Sequence, residues 1–502
     1  MSGVAALCGD GVNLYDLGVE HRDRSEAGRE TLTGTVRLFA AESLAFPTGL
    51  ITVAFLTRWL EADGYGVFSL AAMTVAWLEW LVVSLLSRST ILAVRATVDW
   101  KPLATRILQI HLAAGLAGCA VVWLAAPFVA HALAIPSLTG DLRLFALDVP
   151  LFVYGHCHRN IATGRGLYGR RARAVATRWI ARMVLILVLV GLGLSVTGAI
   201  LASIGASALE LLVARRYDRA PLFAWPANSI RPFVTATLPL LAAAIAIKIL
   251  HDVDLFALKA LGGSTAEAGF YAAARNLTGA SSVFSAAFAP LLLSTLVRLV
   301  REGEIDHARD ISRDSLRLVL VLVPFAALGA GGADGIVRLI FGVEFAPAGP
   351  VLARLIFSGV ALVMIAVAST ALVAGGRLDV PARVFGALVP LTIAAHLWVI
   401  PRFGAIGAAW VTTGAMVAGA LLMLVGLARM WGVAPPAGSV ARAAFIGLAV
   451  WLGARAWSAA GADLVLTLGL LALAVPLAFL GLGEFSRREI EVARRAILPP
   501  RR

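Results

Sequence analysis

The chain has 502 residues, of which 60% are hydrophobic and 15% charged, and its mean hydropathy is +0.86. A soluble domain carries about a quarter of its residues as charges, so this composition excludes an ordinary soluble enzyme. The net charge of +13 would suggest nucleic acid in a soluble protein. Here the arginines alternate with apolar segments instead of forming one face, which argues against that partner.

Residues 1–33 are polar, mixed in charge and glycine-rich. They hold no apolar run of signal-peptide length and read, as segment 1–34, as a cytoplasmic tail. About fourteen apolar stretches follow, and about twenty apolar helical residues cross a bilayer. They lie near 35–57, 66–87, 105–126, 142–163, 175–193, 195–214, 233–258, 269–297, 316–333, 350–374, 382–400, 405–428, 440–457 and 462–482. Only helices satisfy the backbone in lipid over such lengths, so the fold class is all-α, a polytopic membrane protein. Gly191, Gly193 and Gly198 point to a tight turn between the fifth and sixth spans. One long helix is the alternative.

Basic residues gather in every second loop: Arg88 to Arg106, Arg165 to Arg182, Arg215 to Arg231, Arg298 to Arg317, Arg377 with Arg383, and Arg429 with Arg442. The other side holds isolated cations such as Arg58, Arg143, Arg338 and Arg402. The positive-inside rule puts both termini in the cytoplasm, as an even number of spans also requires. The loop 298–317, rich in both signs, reads as a solvated helix, and 484–502 as an amphipathic surface helix. No loop exceeds about twenty residues, so the chain has no soluble catalytic domain and no catalytic residues are assigned.

The three cysteines, Cys8, Cys119 and Cys157, form no disulfide framework. His156-Cys157-His158 suggests a metal, but residues two apart do not share a helix face, so no metal site is assigned.

Two halves of the chain echo each other. Gly66 before Val-Phe-Ser matches Gly269 before Phe-Tyr-Ala, Gly164-Arg165 matches Gly376-Arg377, and Gly198-Ala-Ile matches Gly404-Ala-Ile, all at similar offsets. Six spans separate the copies, so the repeat is parallel. This divides the chain into a six-helix lobe at 35–216, a second at 217–430, and two extra helices at 431–483. Two facing lobes imply alternating access to a site between them.

The same residues carry a likeness. Arg58-Trp-Leu with Gly64-Tyr-Gly66-Val-Phe-Ser-Leu resembles the first loop of bacterial polysaccharide flippases. So do Asp254-Leu-Phe-Ala-Leu with Ala268-Gly-Phe-Tyr-Ala-Ala-Ala-Arg275-Asn, and Ile340-Phe-Gly-Val-Glu-Phe-Ala-Pro-Ala348 with Pro401-Arg-Phe-Gly-Ala-Ile. The likeness spans about residues 35–430 and is to the polysaccharide-transporter branch of the multidrug/oligosaccharidyl-lipid/polysaccharide exporter superfamily. It implies an inner-membrane flippase for undecaprenyl-diphosphate-linked oligosaccharide, working without ATP hydrolysis or a cofactor. Its partners would be the lipid-linked oligosaccharide and membrane lipids, with a polysaccharide polymerase and glycosyltransferases as further candidates. The sequence contains no G-x-x-x-x-G-K-[ST] loop.

A charge in the bilayer core costs about 2.5–3.5 kcal/mol or more, so it should face a partner or the lobe interface. The candidates are Glu42, Glu79, Asp148, Arg159, Lys248 and Arg275, with Arg354 and His396 weaker. Arginine binds phosphate through a bidentate fork, which makes Arg275 the first choice for the cargo diphosphate, beside the sugar-compatible Asn276. Arg159 and Lys248 come next. The alternative for each cation is pairing with an acid. Glu42 and Asp148 are candidates for ion coupling, since a buried carboxylate titrates nearer neutral pH; a helix–helix hydrogen bond is the alternative. His251, Asp252 and Asp254 read as a helix-end anchor. Two other functions fit less well: a multidrug or peptidoglycan-precursor exporter of the same fold, and a membrane-embedded polymerase or glycosyltransferase, which needs a larger aqueous domain.

Overall fold

A computed structural model describes residues 34, 36–97, 100–217, 238–377, 379–456 and 461–485. The tail at 1–33, the loop arginines Arg219 and Arg231, and the amphipathic helix expected beyond Phe485 lie outside the described residues. The described residues are helical throughout, with short turns and no strand.

Helix α1 (Ala45–Ala96) breaks at Glu61, where φ is 56° and ψ −175°. Residues of both limbs, Leu56 and Tyr65 among them, line one cavity, so the chain turns back at this break. Helix α2 (Trp100–Ala132) follows, then the short α3 (Leu138–Phe145) and α4 (Asp148–Gly164). The fourth expected span is thus two helices. Helix α5 (Tyr168–Leu189) leads through a wide turn, Val190–Leu194, into α6 (Ser195–Tyr217). In that turn Gly193 takes φ 90°, a left-handed conformation that costs glycine little. Leu185 packs against Gly205, which makes α5 and α6 a hairpin and excludes the single long helix.

The second half begins with α7 (Leu238–Ala260), α8 (Thr265–Thr278) and α9 (Ala280–Glu302). Next come α10 (Ile305–Leu320), α11 (Leu322–Gly331) and α12 (Ala333–Phe341). Helix α10 carries the expected solvated face, with exposed pairs Arg309–Asp306 at 2.8 Å and Arg313–Asp310 at 3.4 Å. A 3-10 turn, Val343–Phe345, precedes α13 (Ala348–Ala374). Helix α14 (Asp379–Trp431) breaks at Gly404, with φ 53° and ψ −141°. Val380 meets Gly426 and Phe385 meets Gly419, so α14 is also a hairpin. Helices α15 (Ala437–Ala456) and α16 (Ala462–Gly481) complete the chain.

Eight of the described helical segments are long and apolar enough to cross a membrane, three of them being the broken or hairpin segments just described. Apolar side chains such as Phe128, Leu192 and Leu477 stay exposed on the outer surface, as lipid-facing residues do. The chain is a multi-pass membrane protein.

Helices α1–α6 pack as one lobe and α7–α14 as another, with α15 and α16 docked on α11 of the second. The lobes meet chiefly where α1 crosses α8. Small residues let helix backbones approach in lipid, where no hydrophobic effect drives association. At this crossing Gly66 faces Thr265 and Gly269, while Gly269 faces Ala62 and Gly66.

Polar contacts lock the same end. After the break at Glu61, the Ala62 N–H has no intrahelical acceptor, and it donates to Glu344 Oε1 of the other lobe at 3.0 Å. Arg58 donates to the Leu339 carbonyl at 2.8 Å. Phe345, fully buried, sits edge-on to Tyr65 at 6.0 Å and to Phe270 at 5.4 Å. Within the second lobe, the Ala405 N–H after the Gly404 break donates to Glu267 Oε1 at 2.6 Å. The arginine-rich loops gather at the other ends of these helices, where Arg165 stacks on Trp100 and Arg170 donates to the Tyr217 carbonyl.

Candidate functional site between the lobes

Next to the crossing, a cavity of about 360 Å³ lies between the lobes. The first lobe contributes Thr52, Tyr65, Trp77, Trp179 and Arg182; the second contributes Lys248, His251, Asp252, Arg275 and Asn276.

The second-lobe wall is a network of paired charges. Arg275 Nη1 donates to Asp254 Oδ1 at 3.1 Å, and Arg275 Nη2 bonds Asp252 Oδ1. Lys248, one turn before Asp252, pairs with the other oxygen of that carboxylate. Asp254 is buried and also accepts from Tyr271 Oη at 2.6 Å, Thr412 Oγ1 at 3.1 Å and the Leu255 N–H at 2.8 Å. A buried charge persists when paired and hydrogen-bonded, and here two cations meet two carboxylates. Asp252 and Asp254 are therefore the counter-charges of Arg275 and Lys248. They do more than anchor the end of α7. Asn276 Nδ2 donates to Tyr65 Oη of the first lobe at 3.0 Å, and Lys248 Nζ lies 5.7 Å from the Trp77 ring and 5.9 Å from Trp80.

The first lobe places its charges differently. Arg159 stands outside the cavity, with its Nε 2.9 Å from Glu210 Oε1 and its guanidinium 5.7 Å from Phe152. Arg178 reaches the other oxygen of Glu210 at 3.6 Å. Burial explains this arrangement, because the Glu210 side chain is fully enclosed and needs cations. Glu42 is half-exposed and pairs with Arg171 at 3.2 Å. Asp148 is buried, and its Oδ1 has no hydrogen-bond partner among the described residues. So of the expected binding residues, Arg275, Asn276 and Lys248 converge on the cavity and Arg159 does not line it; nor do Glu42 and Asp148, the candidates for ion coupling.

Sequence reasoning missed Arg182. The run from Arg165 to Arg182 reads as one basic loop, yet α5 starts at Tyr168 and carries Arg182 well into the helix. Arg182 lines the cavity, partly buried, and no carboxylate lies within 4.0 Å of it among the described residues. Its Nε has no hydrogen-bond partner among them. The spacing held the signal: Arg171, Arg178 and Arg182 recur at seven and four residues, one helix face. Among the described residues no group of His, Cys, Asp or Glu is arranged to hold a metal.

Helices from both halves of the chain thus enclose a cavity with one charged wall inside a membrane-spanning bundle. The sequence matches the family described as "Polysaccharide biosynthesis protein" over residues 55–350, and the chain belongs to that family. Solved structures share its fold. "Lipid II flippase MurJ, inward closed conformation" superposes with a TM-score of 0.72 at 11% identity, covering 93% of this chain and 99% of that one. An inward-facing multidrug resistance MATE family transporter of the MOP superfamily gives 0.59 at 14% identity, covering 84% and 96%. A point mutant of the Vibrio cholerae MATE transporter VcmN gives 0.57 at 13%, covering 81% and 97%. No curated protein matches the sequence.

Proposed function

We propose that this chain flips undecaprenyl-diphosphate-linked oligosaccharide from the cytoplasmic to the periplasmic leaflet of the bacterial inner membrane, for cell-surface polysaccharide biosynthesis. It works by alternating access and is a carrier, not an enzyme. Family membership supports the role in polysaccharide biosynthesis, and the shared fold supports a carrier. Residues 35–216 and 217–430 act as the two lobes, 431–483 as an appendage, and both termini lie in the cytoplasm.

The observation that carries this reading is the charge layout of the cavity. Arg182 on one wall has no paired carboxylate among the described residues, opposite Lys248 and Arg275, which are held by carboxylates. An incoming diphosphate first meets Arg182, which no described carboxylate approaches within 4.0 Å. It then competes with Asp252 and Asp254 for the two cations across the cavity. Trp77 and Trp179 offer flat faces to sugar rings, and Asn276 offers an amide. For ion coupling, Asp148 is the stronger of the two candidates, since Glu42 is half-exposed and already paired.

The test is translocation of a labelled lipid-diphosphate oligosaccharide in proteoliposomes. Arg182→Ala and Arg275→Ala should each reduce the rate at least about tenfold, the worth of one lost charge-assisted contact. Wild-type rates in both, at normal expression, overturn the cargo assignment. Preferential transport of a peptidoglycan precursor would replace the oligosaccharide as cargo.

A further inference from the structure

We propose that the two helices outside the repeat create a binding site for a phosphate-bearing lipid headgroup, in a crevice of about 960 Å³ between them and the second lobe. The crevice gathers three arginines distant in sequence: Arg338 of α12, Arg354 of α13 and Arg455 of α15.

The crevice exists because of small residues. At the end of α11, Gly331 lies against the Trp451 backbone of α15, and Gly335 of α12 lies against Leu464 of α16. This close approach brings Arg455 beside the second lobe. The arginines are not balanced there. Asp334 is the single carboxylate among the described lining residues, and among the described residues no carboxylate lies within 4.0 Å of any of the three cations. Among the described residues the Arg354 side chain donates to the Pro350 carbonyl of its own helix, and its buried Nε has no partner. Arg354 and Arg455 rest on tryptophans, 5.5 Å from the Trp410 ring and 5.3 Å from the Trp451 ring, an arrangement that orients a guanidinium without neutralising it.

Position decides the ligand class. The crevice opens at the end of the bundle that carries the Glu61 and Gly404 breaks, where the chain otherwise has few cations. Three arginines without a carboxylate partner at a membrane–water boundary have one abundant partner, the phosphate of a lipid. The rim is apolar and open, with Leu339 41% and Val343 75% exposed, as acyl chains require and a soluble anion does not. A basic floor under an apolar rim matches an amphiphile with an anionic head. The site is separate from the inter-lobe cavity, and it stands whichever cargo that cavity carries.

The full-length protein, purified and delipidated in mild detergent, is titrated with phosphatidylglycerol or phosphatidylcholine and read by native mass spectrometry. The wild type should retain phosphatidylglycerol preferentially. The pair Arg338→Ala with Arg455→Ala should weaken that retention roughly tenfold or more, at about one phosphate contact per arginine. Arg402→Ala removes an exposed cation elsewhere on the same end of the molecule and should change nothing. Equal retention by wild type and double variant, with the variant still folded by thermal melt, overturns the site. Displacement of phosphatidylglycerol by millimolar inorganic pyrophosphate would assign the crevice to a soluble phosphate and overturn the lipid.

Discussion

Gly66 and Gly269 face each other across the lobe boundary, backbone against backbone. A Cβ on Gly66 would stand 2.1 Å from the Thr265 carbonyl oxygen, and one on Gly269 would stand 2.2 Å from that of Ala62. Both distances are well inside van der Waals contact, so neither helix accepts a side chain in this state. The sequence comparison above pairs these same two residues, and the structure sets them on opposite sides of one contact.

Gly66→Ala and Gly269→Ala should therefore hold the lobes apart at this end, leaving each lobe folded. Spin labels on α1 and α8 would report a wider distance distribution by pulsed electron resonance. Transport should fall, because the closed state becomes inaccessible. An unchanged distance distribution in both variants would show that the crossing is not a gate.

Glu344→Gln and Arg58→Ala should loosen the same end less severely. The Glu344 carboxylate holds a helix-terminal amide of the other lobe, an interaction worth about 1 kcal/mol. Its loss shifts a two-state balance roughly fivefold. A cysteine at Ser69, which lines the cavity, should then react faster with a membrane-impermeant thiol reagent added from the outer side.

Tyr271→Phe should cost about 1.5–3 kcal/mol, the range for a hydrogen bond to a charged group, because Asp254 loses a buried donor. A melting curve in detergent reads this directly. Asp254→Ala should be worse, since it strips Arg275 of one carboxylate inside the bundle. A melting temperature equal to wild type in Tyr271→Phe would mean that the network contributes little to folding.

Glu484, just past α16, predicts a pH dependence. Burial pushes its carboxyl up, but hydrogen bonds from Ser439, Arg317 and Arg442 outweigh burial and hold it below its ordinary value of 4.5. A carboxyl depressed on folding contributes stability that is complete above its unfolded value and is lost as pH falls through the lower, folded one. Wild type should thus lose more thermal stability than Glu484→Gln below about pH 4.5. Parallel pH profiles would remove the clamp as a stabilising element.

Much of the fold was legible in the sequence, because lipid imposes one periodicity and one length. The glycines at 191, 193 and 198 announced the α5–α6 hairpin, since a reversal this tight needs residues that tolerate left-handed or close-packed backbone. The site was legible in part. Lys248, Arg275 and Asn276 stood out as polar residues inside apolar runs, and all three reach the cavity. Glu210 and Arg182 did not, because each lies near a basic cluster that reads as loop when span edges are uncertain. Arg159 shows the opposite limit: its burial was legible, but its direction depends on Glu210 in another helix, which linear spacing does not report.

The pairing of Lys248 and Arg275 with Asp252 and Asp254 has an electrical consequence. A group moving one elementary charge through the membrane potential does work of about 2.3 kcal/mol per 100 mV. In the cargo-free protein this wall carries two positive and two negative groups on neighbouring turns, so their displacements cancel. In the carrier cycle proposed above, the resetting stroke of the empty protein would be nearly indifferent to voltage on that side. Any current accompanying the proposed turnover would then arise from the cargo or from charges outside this wall.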